Sequence, residues 1–299
     1  MATKEEMDFT YSLIDRMFRL SIGEFADYSG AMYDGDFSLT LEEAQHRKHE
    51  YIARHLGIGP GTRMLDMSCG WGPLLTHVRS LGAVGVGMTL SAAQAAACQR
   101  RGLDVHLRDC RTIDREVFGG FDAVASVGGF EHFCSIEEYR AGKQDEIYHD
   151  LFRRVASLLP AKGRFFLQTM VFGPNMIPVD RLDVNAPRDS DEFMLGLMTK
   201  QFPGSWLPYG KEQPERTAEP YFRLVSASSG RLDYIETIRQ WRKRFAAPSL
   251  QKTLLKLSLV PRYLVSRDFR LAFASGVSSN SACFERHLMD HYRLVFEKR

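Results

Sequence analysis

Two stretches of the chain hold residues whose types and spacing suit the grip of a small nucleoside. Met64 to Gly72 read MLDMSCGWG, an apolar run that ends in an acid and enters a glycine-bearing turn, and Gly87 to Gln94 read GMTLSAAQ. An apolar run of this kind behaves as a buried parallel strand, and glycines behind it let the backbone bend and approach a ligand with no side chain in the way. A dinucleotide would call for G-x-G-x-x-G and a pyrophosphate on the next helix N-terminus. The loop Ser68-Cys69-Gly70-Trp71-Gly72-Pro73 does not match that pattern. Its shorter G-x-G suits a cofactor without a phosphate bridge, whose methionine-type tail lies against the glycines. S-adenosylmethionine is the natural candidate, and the competing reading is a tight strand-to-helix turn with no ligand.

The elements that must position these residues alternate along the chain. Leu41 to Leu56 forms an amphipathic helix stopped by Gly57 and Pro60, MLDM follows as a strand, and Leu74 to Leu81 is its crossover helix. Val84 to Met88 is the next strand and Ser91 to Arg101 the next helix. Further strands are expected at Val105 to Leu107, Phe121 to Val127 and Arg164 to Val171, with one long helix from about Glu137 to Leu159 before the last. This is a doubly wound, mostly parallel α/β sheet, with its ligand crevice beyond the carboxyl ends of the strands. Beyond Val171 the sequence is turn-rich. Apolar stretches at Tyr221 to Val225 and Tyr292 to Phe296 read as strands that add an antiparallel edge, and Tyr234 to His291, mostly helical, lies where a lid is inserted.

At 299 residues the chain has room for about two domains or one core with an insertion. The expected division is an N-terminal helical cap over the cofactor at 1–40, a cofactor-binding core at 41–171, and a substrate and lid region with the last strands at 172–299. A formal charge of +2 speaks against nucleic acid as a partner, so contact with an acidic lipid or carrier needs a local patch. With no signal-like N-terminus and no uncharged apolar run of about eighteen residues, the expected location is cytoplasmic. The cysteines at 69, 98, 110, 134 and 283 lack C-x-x-C spacing and read as reduced, mostly buried thiols, with no metal site. His46, His49 and His55 lie beside Arg47, Lys48 and Arg54 and read as a solvated basic face.

Several ordered motifs together resemble the cyclopropane fatty acid synthase family of S-adenosylmethionine-dependent methyltransferases, which includes the mycolic acid cyclopropane synthases. They are DYSGAMY (Asp27 to Tyr33) where the family has YSCAYF, SLTLEEAQHRK (Ser38 to Lys48), LDMSCGWG where the family has LDxGCGWG, and TLSAAQ (Thr89 to Gln94). RDCR (Arg108 to Arg111), SVGGFEHF (Ser126 to Phe133), FPGSWLP (Phe202 to Pro208) and DYIETIRQW (Asp233 to Trp241) continue the likeness. It implies a class I, Rossmann-like fold with a seven-stranded sheet and a helical lid.

Position by position, the resemblance implies that Tyr28 and Ser29 close over the methionine end of the cofactor, that Gly70 and Gly72 line it, and that Leu90 and Gln94 hold the ribose. Asp109 and Cys110 border the adenine, and Asp66, Ser68 and Thr89 complete the set. Asp66 also suits a loop-capping carboxylate. Ser68 replaces a family glycine, so its Cβ narrows the methionine pocket or demands another loop angle.

The family's reaction is electrophilic: an alkene attacks the sulfonium methyl, a carbocation forms, and loss of a proton closes a ring or leaves a methyl branch. Alignment of the two reactants and a negative or basic group beside the cation are what a protein must supply. Ring-forming members hold a bicarbonate there with the YSC cysteine, the FEH glutamate, a histidine of an H-T-I motif and the tyrosine of Y-x-x-T. Glu131 and Tyr234 stand at two of these positions, while Gly30 replaces the cysteine and Gln168 the histidine. Glutamine hydrogen-bonds but does not change charge near neutral pH, so the bicarbonate pocket is reshaped or lost and ring closure is open. The expected catalytic set is Glu131, Tyr234, Gln168 and Gly30, acting on an apolar, unsaturated acyl chain or similar acceptor. His132 reads as structural.

Other readings stay open. Related plant alkaloid N-methyltransferases carry a glutamate three residues before the FEH acid, where this chain has Gly128, which disfavours an amine but leaves a small natural-product acceptor. The changes at Gly30, Ser68 and Gln168 motivate a non-catalytic cofactor- or lipid-binding relative. SLQKTLLKLSLVPRYL (Ser249 to Leu264) sets Leu250, Leu254 and Leu257 against Lys252, Lys256 and Arg262, with Pro261 ending the helix; it is a lid over the tunnel, or a contact with a membrane surface or acyl carrier protein.

Overall fold

The computed structural model describes residues 19–202 and 204–299. Its frame is a seven-stranded sheet in the order β3-β2-β1-β4-β5-β7-β6. Strands β1 (Arg63–Asp66), β2 (Val84–Thr89), β3 (Asp104–Leu107), β4 (Ala123–Val127) and β5 (Arg164–Phe172) run parallel. β7 (Met289–Lys298) enters antiparallel between β5 and β6 (Phe222–Ser229). From β1 the chain winds outward through β2 and β3, then returns to β4 on the other side. The crevice at the carboxyl ends of β1 and β4 is therefore the switch point where α/β sheets take ligands.

The core lies on both faces. Phe165 and Val124 join one buried cluster, and their neighbours Phe166, Ala123 and Ala125 join the other, as strand alternation requires. Helix α1 (Leu41–Leu56) starts on a capping box between Thr40 and Glu43 and stops at Gly57, whose φ of 67° is left-handed. α2 (Pro73–Ser80) and α3 (Ala92–Arg100) follow the first two strands. The loop after β1 is pinned on both sides, with Met67 N donating to Ala125 O at 2.9 Å and Cys69 N to Met88 O at 3.0 Å.

Four local expectations need correction. The long helix before β5 is divided, after the short α4 (Arg115–Phe118), into α5 (Ile136–Arg140) and α6 (Gln144–Leu158), because Gly142 sits at φ 71°. The turn-rich region contains α7 (Asp191–Gln201), which buries Phe193 to Met198 consecutively. A helix buried on all sides carries no amphipathic period, so periodicity misses it. Residues 19–40 run as successive turns and extended chain, and the rest of the expected helical cap lies outside the described residues. Finally, α8 (Glu212–Ala218) and α9 (Arg231–Ala246) are followed by α10 (Leu250–Val265), which continues through Pro261, and by α11 (Arg267–Glu285). Proline removes one helical donor, and the neighbouring side chains Leu257, Val260 and Leu264 are exposed, so water can serve the freed carbonyl.

A Cβ at Gly87 on β2 would lie 2.6 Å from Leu75 Cδ1 and 2.8 Å from Cys69 Sγ. Gly87→Ala is expected to lower stability by about 1–3 kcal/mol through overpacking and to weaken cofactor binding by displacing Cys69. Urea midpoints and cofactor titration check both effects.

Candidate active site

One cavity at the switch point is lined by Tyr28, Ser29, Asp66, Ser68, Gly70, Thr89, Leu90, Gln94, Asp109 and Cys110. Of the residues expected around the cofactor, Gly72 alone lies outside that lining. The two loop glycines do different work. Gly70 has φ 53° and a Cβ there would meet nothing within 4 Å, which leaves space against the backbone. Gly72 has φ 72°, and its Cβ would sit 2.7 Å from Leu103 Cδ1 and 3.1 Å from Cys98 Sγ, so its need is close packing at the start of α2.

Ser68 is turned to the neighbouring strand. Its Oγ donates to Val127 O at 3.0 Å and accepts from Val127 N at 3.1 Å. Gly129 makes room for it, since a Cβ there would fall 2.7 Å from Ser68 Cβ. Asp66 Oδ1 accepts from Ser68 N at 3.2 Å, and burial pushes the carboxyl up to about 7. Thr89 Oγ1 donates to Gln94 Oε1 at 2.6 Å, which fixes the glutamine at the start of α3. At Asp109, burial is outweighed by hydrogen bonds from Arg111, which hold the carboxyl below its usual range. All five cysteines are free thiols, and only Cys110 is partly exposed.

The wall of this cavity also holds a polar network that sequence reasoning missed, built of Asp27, Ser29, Lys48 and His49. Lys48 Nζ sits 2.5 Å from Asp27 Oδ2 and donates to Ser29 Oγ at 2.5 Å. Ser29 Oγ donates to Asp27 Oδ1 at 2.6 Å, and His49 Nε2 lies 2.9 Å from Asp27 Oδ2. Lys48 is 1% and His49 3% exposed, which corrects the solvated basic face for these two; His46 is exposed beside Glu50. The signal was present, because Lys48 and His49 share the helical stripe of Leu41, Ala44, Gln45 and Ile52. Burial would raise the Asp27 carboxyl, yet Lys48 and His49 hold it well below the usual range.

A second cavity adjoins the first and shares Tyr28, Ser29, Gly128 and His132 with it. Glu131, Gln168, Gly30 and Tyr234 all line it, among Met170, Phe172, Leu195, Met198, Phe202 and Trp206. Glu131 stands on a 3-10 turn, Phe130–His132, and its Oε1 accepts from Met170 N at 2.8 Å. Burial pushes this carboxyl up to about 7. Gln168 Nε2 donates to Gly30 O at 3.0 Å, so the two departures from the family pattern bond each other. A Cβ on Gly30 would lie 2.4 Å from Tyr234 Cδ2 and 3.1 Å from His291 Cε1. His132 Nδ1 lies 2.6 Å from Ser205 Oγ, and burial lowers the imidazole to about 4. His291 and Arg293, unremarked in the sequence, are buried polar side chains on β7 at a spacing of two.

The model of the mycolic acid cyclopropane synthetase family matches residues 2–259. The chain is 31% identical over 252 residues to cyclopropane mycolic acid synthase 2 of Mycobacterium leprae, covering 79% of this chain and 78% of that protein. It is 29% identical over 243 residues to hydroxymycolate synthase MmaA4 of Mycobacterium bovis, covering 79% and 76%. The crystal structure of mycolic acid cyclopropane synthase CmaA1 complexed with SAH and CTAB superposes with a TM-score of 0.78 at 24% identity, over 99% of this chain and 98% of that one. That likeness is one of fold.

Replacing Lys48 by Met leaves Asp27 buried with only Ser29 and His49 beside it, and is expected to lower stability by about 3 kcal/mol. Adding Asp27→Asn restores much of the loss, because the uncompensated charge is gone. Urea unfolding of the single and double variants reads the difference.

Proposed function

The chain belongs to the mycolic acid cyclopropane synthetase family and is an S-adenosylmethionine-dependent methyltransferase; on that premise we propose that it methylates a carbon of the double bond in an unsaturated fatty acyl chain or a similarly apolar acceptor. The observation that carries this reading is an apolar cavity containing a buried carboxylate, joined to the cofactor cavity through Tyr28, Ser29, Gly128 and His132. S-adenosylmethionine supplies an electrophilic methyl group. The space at Gly70 suits its methionine part, Tyr28 and Ser29 cover that end, Leu90 and Gln94 meet the ribose, and Asp109 and Cys110 border the base. Asp66 and Thr89 act by holding Ser68 and Gln94 in place. The apolar wall excludes water and aligns the alkene, while Glu131 offers negative charge to the cation that develops.

Bicarbonate fits this cavity poorly. An oxyanion needs hydrogen-bond donors, whereas Gly30 brings no side chain and the amide nitrogen of Gln168 is engaged with Gly30 O. Among the partnerless atoms one donor, Trp206 Nε1, faces three acceptors, Glu131 Oε2, Gln168 Oε1 and Asn280 Oδ1, and this balance suits a cation better than an oxyanion. The source of the acceptor is argued by α10. Leu250, Leu254 and Leu257 are 76%, 57% and 62% exposed. Lys252 Nζ instead donates to Ala247 O, and Lys256 Nζ lies 4.9 Å over the Phe245 ring. With the lysines turned to α9, this stripe favours a lipid surface over an acidic carrier protein. Among the described residues no helix is long and apolar enough to cross a membrane.

Mass spectrometry of acyl lipids from a host rich in monounsaturated chains is expected to find chains heavier by one CH2 with this protein and none with Glu131→Gln. Absence of the product with the unmodified protein would overturn the lipid acceptor. Glu131 also predicts a stability effect of definite sign. The folded protein keeps the carboxyl protonated up to about pH 7, and the unfolded chain releases the proton near 4.5, so stability falls as pH rises between these values. In mildly alkaline buffer Glu131→Gln is expected to be the more stable protein by on the order of 3 kcal/mol in urea unfolding, the gap closing in acid.

A further inference from the structure

The floor of the acceptor cavity is built by register. β5 and β7 pair with Gln168 opposite Arg293, Met170 opposite His291 and Phe172 opposite Met289. Directly opposed residues share a face of the sheet, so His291 stands on the same side as Gln168 and as Met170, whose amide holds Glu131. His291 is buried, lines the cavity with its Cε1 edge beside Gly30, stacks on Tyr234 with ring centroids 4.9 Å apart, and its Nδ1, turned toward the Gly230 backbone, makes no well-formed hydrogen bond. Buried polar atoms without partners are uncommon and call for a reason. Here five of them, the donor Trp206 Nε1 together with Glu131 Oε2, Gln168 Oε1, Asn280 Oδ1 and His291 Nδ1, belong to residues around one cavity. Resting on the acceptor reading above, we propose that His291 takes the proton that the methylated acceptor must lose.

The step balances. The alkene pair forms a bond to the methyl carbon, the carbon–sulfur pair stays on sulfur, and the neighbouring alkene carbon is left positive. The imidazole lone pair then removes a proton, and the freed C–H pair closes a ring or forms a new double bond. A proton next to a carbocation is strongly acidic, so a weak base that stays neutral suffices. Burial lowers the His291 pKa, and the nearby charges of Arg293 and Lys48 lower it further, which keeps the lone pair available. Those cations are engaged elsewhere: Arg293 Nη2 donates to Asp233 Oδ2 and to Ala31 O, both at 2.8 Å, and Lys48 pairs with Asp27. Glu131 is the competing base, but one of its oxygens is engaged by Met170 N and its carboxyl is held near half protonation at neutral pH.

Two measurements on the full chain separate these roles. With S-adenosylhomocysteine bound, calorimetric titration compares hexadecyldimethylammonium, which has one N–H to donate, with hexadecyltrimethylammonium, which has none. The first is expected to bind about tenfold more tightly to the parent protein, the worth of one charge-assisted hydrogen bond, and His291→Asn and His291→Leu are expected to abolish that preference without weakening the trimethyl probe. A preference that survives both substitutions overturns the proposal, whatever the natural acceptor is. On a lipid acceptor, His291→Asn is expected to lower kcat by about a hundredfold or more with KM and cofactor affinity retained. Near-parental turnover by that variant overturns the role of His291, whereas a parent protein that makes no methylated lipid overturns only the acceptor reading.

Discussion

A buried ammonium and a buried carboxylate, Lys48 and Asp27, hold the site together. Neither charge tolerates the interior alone, so each fixes the other. Their union ties the strap of residues 27–33 to α1. Once held there, the strap is fastened at every backbone group that matters: Gly30 O accepts from Gln168 on β5, Ala31 N donates to Thr237 on α9, Ala31 O accepts from Arg293 on β7, and Tyr33 N donates to Asp233. Tyr28 and Ser29 thereby stand where the two cavities adjoin, lining both. Loosening the ion pair would disturb both cavities at once.

The changes at the acceptor end form one consistent set. Gly30 has no side chain because the rings of Tyr234 and His291 occupy the space beside it, and Gln168 faces Gly30 O because that carbonyl needs a donor. Burial acts on the titratable groups in one direction, toward neutrality. It raises Glu131 and lowers His291 and His132. On the function proposed above, a cavity that disfavours charge at rest yet carries free acceptor atoms would be complementary to a short-lived cation.

The parts of the molecule that were legible are those whose cause is local. α1 announces itself through its stripe and the Thr40–Glu43 box, the cofactor loop through its glycines, and the β strands through short apolar runs between turns. α7 was hidden because its middle, Phe193 to Met198, is buried on every side, and the break at Gly142 because one glycine in a periodic run is weak evidence of an end. Lys48 and His49 were misread although they sit on the buried stripe, since their type argues for solvent until Asp27 is seen beside them. Of the positions expected to hold the cofactor, all but Gly72 line one cavity. Gly72 was grouped with Gly70 by motif, but its constraint comes from Leu103 and Cys98.

The amino-acid order alone determined the sequence of strands and helices, the glycine turn after β1, and the presence of Glu131 and Tyr234 in the motifs expected to carry the chemistry. These follow from periodicity, caps and backbone freedom, which act over a few residues. Tertiary structure decided the rest: that Gln168 bonds Gly30 from 138 positions away, that Lys48 finds Asp27, and that the register of β5 with β7 sets His291 into the lining of the second cavity. The physical reason is that the free energy of a buried charge or an unpaired nitrogen depends on what surrounds it in space, and those neighbours come from distant parts of the chain.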